Sequence, residues 1–196
     1  MPTDWMSSVL SGLAGGVLAS GLSVAYAHYV ERKRDRQART ANSFALISAL
    51  EAFVINCAEY IESAGEALSN AYRTSDTRAL GKLTPPGFAI PPDVDFKTID
   101  TGIASNVLIL PFLIKRSNDI ARTTFMNISL VEATEDSVQQ FGIRGLAAWK
   151  LAVCLRNKAK LPKPQYDDDW RFLEILRHAS KGNEVHAPPP PPPPNQ

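Results

Sequence analysis

The stretch MSSVLSGLAGGVLASGLSVAYAHYV, residues 6–30, contains no Asp, Glu, Lys or Arg in 25 positions. As an α-helix it would extend roughly 37 Å, which is enough to cross the hydrocarbon layer of a bilayer. The charged run ERKRDR follows at once, at residues 31–36. The composition therefore predicts a transmembrane helix over residues 6–30 with a polar boundary directly after it.

Small side chains recur along this stretch at every fourth position. Residues four apart share one face of a helix, and small side chains there allow a second helix to approach closely. Gly12, Gly16 and Ser20 form one such row, and a second row runs beside it. We expect the span to self-associate through these three residues. The alternative is that Gly, Ala and Ser are simply frequent in membrane helices.

The charges flanking the stretch predict its orientation. Residues 31–40 carry five basic and two acidic side chains, whereas the short N-terminal side carries only Asp4. Because cytoplasmic flanks are enriched in Lys and Arg, residues 1–5 should lie outside and the body in the cytoplasm. Trp5, Tyr26 and Tyr29 lie where aromatic belts are expected. The basic residues expected to set orientation and contact anionic lipid are Arg32, Lys33, Arg34 and Arg36.

A cleavable signal peptide is the main alternative to an anchor, because Ala25-Tyr26-Ala27 has the small-x-small form of a cleavage site. Three features argue against it. No Lys or Arg precedes the stretch, the apolar run is longer than a signal peptide needs, and a basic cluster follows directly.

The rest of the chain has the composition of one modest domain. The net charge is +1, of which residues 31–40 contribute +3, so the remainder carries −2 and is not expected to bind nucleic acid. The two cysteines, Cys57 and Cys154, have apolar neighbours and are expected to be buried thiols of a reducing compartment.

The sequence from Phe44 to Ala71 has a broad apolar stripe with helical spacing, which favours packing in a bundle. Its glutamates are expected on a solvated face rather than at a metal site. They are Glu51, Glu59, Glu62 and Glu66.

Residues 74–97 contain three Pro- or Ser/Thr/Asp-rich clusters and are predicted to form a long irregular loop. Phe88, Ile90 and Phe96 are expected to pack over the bundle like a strap. A binding loop is the alternative, since loops of this length are uncommon in compact domains.

A second helical region is expected from about Asp100, with Pro111 in a first turn or at a kink. Residues 107–114 are uniformly apolar but too short to span a bilayer, so we assign them to buried core. This helix should end near Glu132, and the next should run to about Lys160. One face of that next helix carries Ile143, Ala147, Leu151 and Cys154.

Residues 167–169 are three aspartates, which we interpret as the N-terminal cap of a last short helix, from Trp170 to Ala179, rather than a cation site. Its indole should dock on the bundle. Residues 183–196 are predicted to be disordered. We expect their seven prolines either to bind a protein partner as a polyproline II helix or to form a stiff unstructured end. The residues expected to dock on a partner are Pro188, Pro190, Pro191 and Pro194.

No catalytic, cofactor-binding or metal-binding pattern is recognisable. The three histidines are scattered, and no glycine-rich phosphate loop is present.

The sequence thus predicts an all-α, non-enzymatic protein: an external end (1–5), a transmembrane helix (6–30), a basic juxtamembrane helix (31–43), a cytoplasmic bundle of about four helices (44–182) and a tail (183–196). We expect a single-pass, self-associating interaction or scaffold module at the cytoplasmic membrane face. The alternative is a membrane-perturbing effector or pore-forming subunit that oligomerises through its span.

Overall fold

The computed structural model describes the backbone of residues 4–166 and 171–182, and the side chains of residues 26–166 and 171–182. Four helices are present: α1 (Asp4–Thr74), α2 (Thr101–Asn127), α3 (Leu130–Ala159) and α4 (Phe172–Ser180). Short 3-10 turns occur at Leu80–Lys82 and Phe96–Thr98. No strand occurs among these residues, so the all-α prediction is confirmed. The chain divides into two compact units, Met1–Ala41 and Asn42–Gln196.

The first unit is helical from Asp4 onward, and every side chain from residue 26 to residue 41 is exposed. Gly12, Gly16 and Ser20 belong to this helix, but their side chains lie outside the described part of the structure.

One stretch with described side chains, Tyr26–Thr74, is long and apolar enough to cross a membrane. Half of its most apolar window is buried inside the protein, as in the core helix of a soluble domain. The buried residues include Leu46, Leu50 and Cys57, which belong to the core of the second unit. The burial of these residues therefore concerns the second unit and not residues 6–30.

The core of the second unit forms between α1, α2 and α3. Helix α3 runs antiparallel to both of the others, because positions that ascend along α1 and α2 meet positions that descend along α3. The pairs that show this are Glu51–Arg156, Tyr60–Phe141 and Tyr72–Glu135 for α1, and Asp100–Lys158, Ser117–Gln140 and Thr124–Asp136 for α2.

Side-chain caps determine where α2 and α3 begin. Asp100 accepts hydrogen bonds from the backbone N–H groups of Gly102 and Ile103, and Ser129 accepts one from that of Glu132. The expected boundary near Glu132 was therefore wrong, since α2 ends at Asn127 and Ser129 already caps α3. Capping satisfies N–H groups that have no partner within the helix.

Residues 107–114 are only partly core. Val107, Leu110 and Ile114 are buried, but the neighbouring side chains of Leu108, Ile109 and Phe112 are exposed. The assignment of the whole run to the core was wrong for these three residues. Pro111 lies inside α2 and not in its first turn, so the first-turn alternative was also wrong.

Helix α3 buries mainly its small residues, and the face that carries Ile143, Ala147, Leu151 and Cys154 is half-buried at most. Ile143 and Cys154 are exposed, whereas Gly142, Gly145, Ala148 and Ala152 are buried. A Cβ added at Gly142 would lie 2.6 Å from the backbone nitrogen of Ser180. The absence of a side chain at Gly142 and at Gly145 is what allows α4 to lie directly on α3.

The connection after α1 packs back on the bundle, as expected. The rings of Phe88 and Phe53 meet edge to face at 5.7 Å, and Ile90 and Phe96 also contact the core. The amide of Asn42 donates to the Thr98 hydroxyl at 2.8 Å. The segment between α1 and α2 is thus held against α1 at Asn42, the first residue of the second unit.

Helix α4 buries Phe172, Leu176 and Ala179. Phe172 also joins an aromatic cluster with Trp149 and Tyr166, with ring centroids 5.2 to 6.0 Å apart. The expected Asp167–Asp169 cap and the docked Trp170 lie outside the described residues.

Candidate interaction surfaces

Among the described residues, the outer side of α2 exposes several large apolar side chains. Leu108, Ile109 and Phe112 are 45%, 49% and 72% exposed, respectively. Phe112 lies about one helical turn after Leu108 and Ile109, and all three lie on the side opposite the buried Val107, Leu110 and Ile114. We call this surface the α2 apolar face, and define it as Thr101, Ala104, Ser105, Leu108, Ile109 and Phe112. These residues line a cavity of about 410 Å³ that is open to solvent.

A polar network on the opposite side of α2 fixes the rotation of the helix. The Arg144 Nε of α3 donates to the buried Ser117 hydroxyl at 3.1 Å, and that hydroxyl also lies 3.2 Å from Gln140 Oε1. Burial lowers the pKa of Arg144, and the nearby positive charge of Arg116 contributes in the same direction. Because Ser117 faces α3, the α2 apolar face points to solvent.

The basic residues of the first unit form the second surface. Arg32, Lys33, Arg34 and Arg36 are all exposed on α1, where the sequence placed them. Just before them, Tyr26 and Tyr29 are 70% and 65% exposed. An exposed aromatic pair followed within one turn by several cations suits the headgroup region of an anionic membrane.

A two-point ion pair joins α1 to α3. Arg156 Nε and Nη2 each donate to one carboxylate oxygen of Glu51 at 2.8 Å. The expectation that Glu51 lies on a solvated face was wrong, since its side chain is only 14% exposed. Burial raises the pKa of the neighbouring Tyr166 to about 12, and the Glu51 carboxylate contributes to that rise. The carboxylate and guanidinium satisfy each other, which is typical of a structural pair.

The two thiols have opposite environments. Cys57 is fully buried, and burial raises the pKa of its thiol far above the ordinary value. Cys154 is exposed, so the expectation that both cysteines are buried holds only for Cys57. Both are free thiols, and Cys154 is the accessible one.

The described side chains contain no group of three or more His, Cys, Asp or Glu residues arranged to hold a metal ion. His28 and His178 lie on different helices, α1 and α4. The aspartates at 167–169, together with His186 and the predicted docking prolines Pro188, Pro190, Pro191 and Pro194, lie outside the described residues.

The sequence itself contains a signal for the α2 apolar face. Eight consecutive apolar residues, 107–114, extend around the whole circumference of a helix, whereas only one side of a surface helix can face the core. Part of the run had to point away from the bundle. The Glu51–Arg156 pair, by contrast, has no sequence signal, because its partners are 105 residues apart.

Comparison of the chain with protein-family models, with curated proteins and with solved structures gave no match.

Proposed function

We propose that the protein is a single-pass, membrane-anchored interaction module, in which residues 6–30 cross the bilayer and the second unit binds partners at the cytoplasmic face. The observation that carries this proposal is the exposed sequence of Tyr26, Tyr29 and the basic residues from Arg32 to Arg36, at the end of a 25-residue uncharged stretch. In water, such a stretch would expose a large apolar surface, whereas a bilayer buries it.

A role in binding is supported by the α2 apolar face and by two features of the sequence. The α2 apolar face exposes three large side chains side by side, which is typical of an interaction site. In the anchor, Gly12, Gly16 and Ser20 are proposed to mediate association of two copies. The tail prolines are proposed to dock on an apolar surface.

Carbonate extraction of membranes tests the anchor. The wild-type chain should stay in the membrane pellet, and Val17→Arg/Leu18→Arg should move it to the supernatant, because each central arginine opposes insertion by about 3 kcal/mol. The matched variant Val17→Ile/Leu18→Ile keeps the stretch apolar and should stay in the pellet. Extraction of the wild-type chain into the supernatant would overturn the proposal.

Labelling of Cys154 tests the orientation, since this exposed thiol is a natural probe. A membrane-impermeant maleimide should label it only after cells are lysed. In a Cys154→Ser background, Thr3→Cys should be labelled in intact cells. Labelling of Cys154 in intact cells would place the body outside, and a mature N-terminus after Ala27 would show that residues 1–27 are a cleaved signal. Ion flux through reconstituted liposomes would instead favour the pore-forming alternative.

A further inference from the structure

The last described residue of the chain, Gly182, lies beside α3. A Cβ built on Gly182 would approach Gln139 Nε2 to 2.6 Å, and the φ of Gly182 is 67°, a conformation that favours glycine. The next residue on α3, Gln140, contacts Ser117 of α2. The remaining 14 residues of the chain therefore begin beside α3, at the level along that helix where α3 contacts α2.

The α2 apolar face is within reach of these residues. Phe112 lies five positions before Ser117, which is roughly 7.5 Å along the helix. Adding about 10 Å for each of two packed elements gives a path of roughly 25 to 30 Å from Gly182. Residues 183–194 can extend about 37 Å at ~3.1 Å per residue, so the last prolines of the run at 188–194 can reach the end of the face that Phe112 forms and lie along it toward Ser105.

The chemistry of the proline run matches this surface. Most polypeptide segments that lie on an apolar helix face would bury N–H groups without acceptors, which is unfavourable. Proline has no N–H, so its ring and backbone can lie there without that loss. One turn of polyproline II rises about 9.3 Å, close to the roughly 10.5 Å between Ser105 and Phe112 along α2. The Ser105 hydroxyl, which also lines the cavity, can donate to a proline carbonyl oxygen.

We infer that the α2 apolar face is the docking site of the chain's own proline run, residues 188–194. Leu108, Ile109 and Phe112 pack against the proline rings, and the short connection from Gly182 makes the contact intramolecular. A tethered segment has an effective concentration in the millimolar range, so a weak contact is sufficient to keep the face covered. A partner that takes the prolines would uncover the face. The inference concerns the second unit only and does not depend on whether residues 6–30 cross a membrane.

Photocrosslinking of the full-length chain in detergent tests this contact. The photoreactive residue p-benzoylphenylalanine is placed at Asn195, which leaves the prolines intact. Trypsin cuts after Lys97 and Lys115, so the face falls within the peptide of residues 98–115. We expect an intrachain cross-link to that peptide at the mass of one chain.

Three variants distinguish docking from random collisions of the tail with the protein surface. Phe112→Glu should reduce the cross-link about tenfold, because a ring burial of that size is removed. Met126→Glu, a comparably exposed position 14 residues further along α2, should leave it unchanged. Replacing the seven prolines by seven serines keeps the length of the tail and should also abolish the cross-link.

Other results would overturn the inference. A cross-link at the mass of two chains would identify a second copy as the occupant of the face. Cross-links spread over many surface peptides, or equal yields from wild type and Phe112→Glu, would show that the tail does not dock there.

Discussion

Glu51 of α1 and Arg156 of α3 form a two-point ion pair, with both N–O distances at 2.8 Å and both side chains 14% exposed. The planar guanidinium matches the two carboxylate oxygens, which makes this contact directional as well as charged. It sets the register between α1 and α3 at one end of the bundle.

Breaking one half of this pair should destabilise the second unit. Glu51→Gln leaves the Arg156 guanidinium without a counter-charge in a mostly buried site, and we expect a loss of about 3 kcal/mol in the free energy of unfolding. Urea unfolding followed by tryptophan fluorescence measures this, since Trp149 lies in the neighbouring aromatic cluster. Glu51→Leu/Arg156→Leu should recover most of the loss. Equal losses in the single and double variants would contradict this account, and exposed Glu62→Gln serves as the control.

The contact between α3 and α4 should be sensitive to one methyl group. In Gly142→Ala the new Cβ meets the backbone of Ser180, which cannot move without displacing α4, so we expect a loss of about 2 kcal/mol. Trypsin should then cut faster after Arg177. Gly65→Ala is the matched control, because nothing lies within 4 Å of its Cβ, and it should stabilise α1 by about 0.5–1 kcal/mol. A neutral Gly142→Ala would show that α4 is not packed this closely.

The two thiols should differ in reactivity. Under native conditions a thiol reagent should modify Cys154 alone, and Cys57 should react only after unfolding, even at pH 9.5, because burial raises its pKa. Modification of two thiols per native chain would contradict this.

The same burial predicts a pH dependence of stability. In the unfolded chain Cys57 ionises near its ordinary pKa of 9.0, whereas in the folded chain it stays neutral. Its stabilising contribution is therefore present below pH 9 and lost above it, by about 1.4 kcal/mol per pH unit. Urea unfolding at pH 8 and pH 10 should show a larger drop for wild type than for Cys57→Ala. Equal drops would refute the assignment.

Self-association of the proposed span should depend on its small residues. Gly12→Ile/Gly16→Ile should weaken dimerisation in liposomes about tenfold, measured by energy transfer between labelled chains, because the larger side chains hold the helices apart. Gly21→Ile is the matched control, since position 21 lies half a turn around the helix from Gly12. If the double variant associates as tightly as the wild type and the Gly21→Ile control, the interface lies elsewhere.

The helical content and the strap after α1 could be predicted because apolar spacing and turn residues are local signals. The α2–α3 boundary could also have been found, since Ser129 and Glu132 have the spacing of a capping box. It was misplaced because Leu130 and Val131 continue an apolar pattern across the cap.

The packing face of α3 could not be read from hydrophobicity. The spacing of apolar residues identifies a helix face by its large side chains, such as Ile143. The buried face of α3 instead contains Gly142 and Gly145, whose small size allows α4 to approach closely. Which small residues face a partner depends on the position of that partner. The Glu51–Arg156 pair was missed for the same reason, because it depends on how α1 and α3 are aligned.

Arg156 also donates from Nη1 to the carbonyl oxygen of Pro162 at 3.1 Å, so one guanidinium joins α1, α3 and the segment that leads to α4. This has a mechanical consequence. A force applied to the C-terminal tail acts first on α4 and then on Pro162. From Pro162 it is transmitted through Arg156 to α1 and α3 together. The end of the chain should therefore yield in steps, with the peeling of α4 preceding any disturbance of the core.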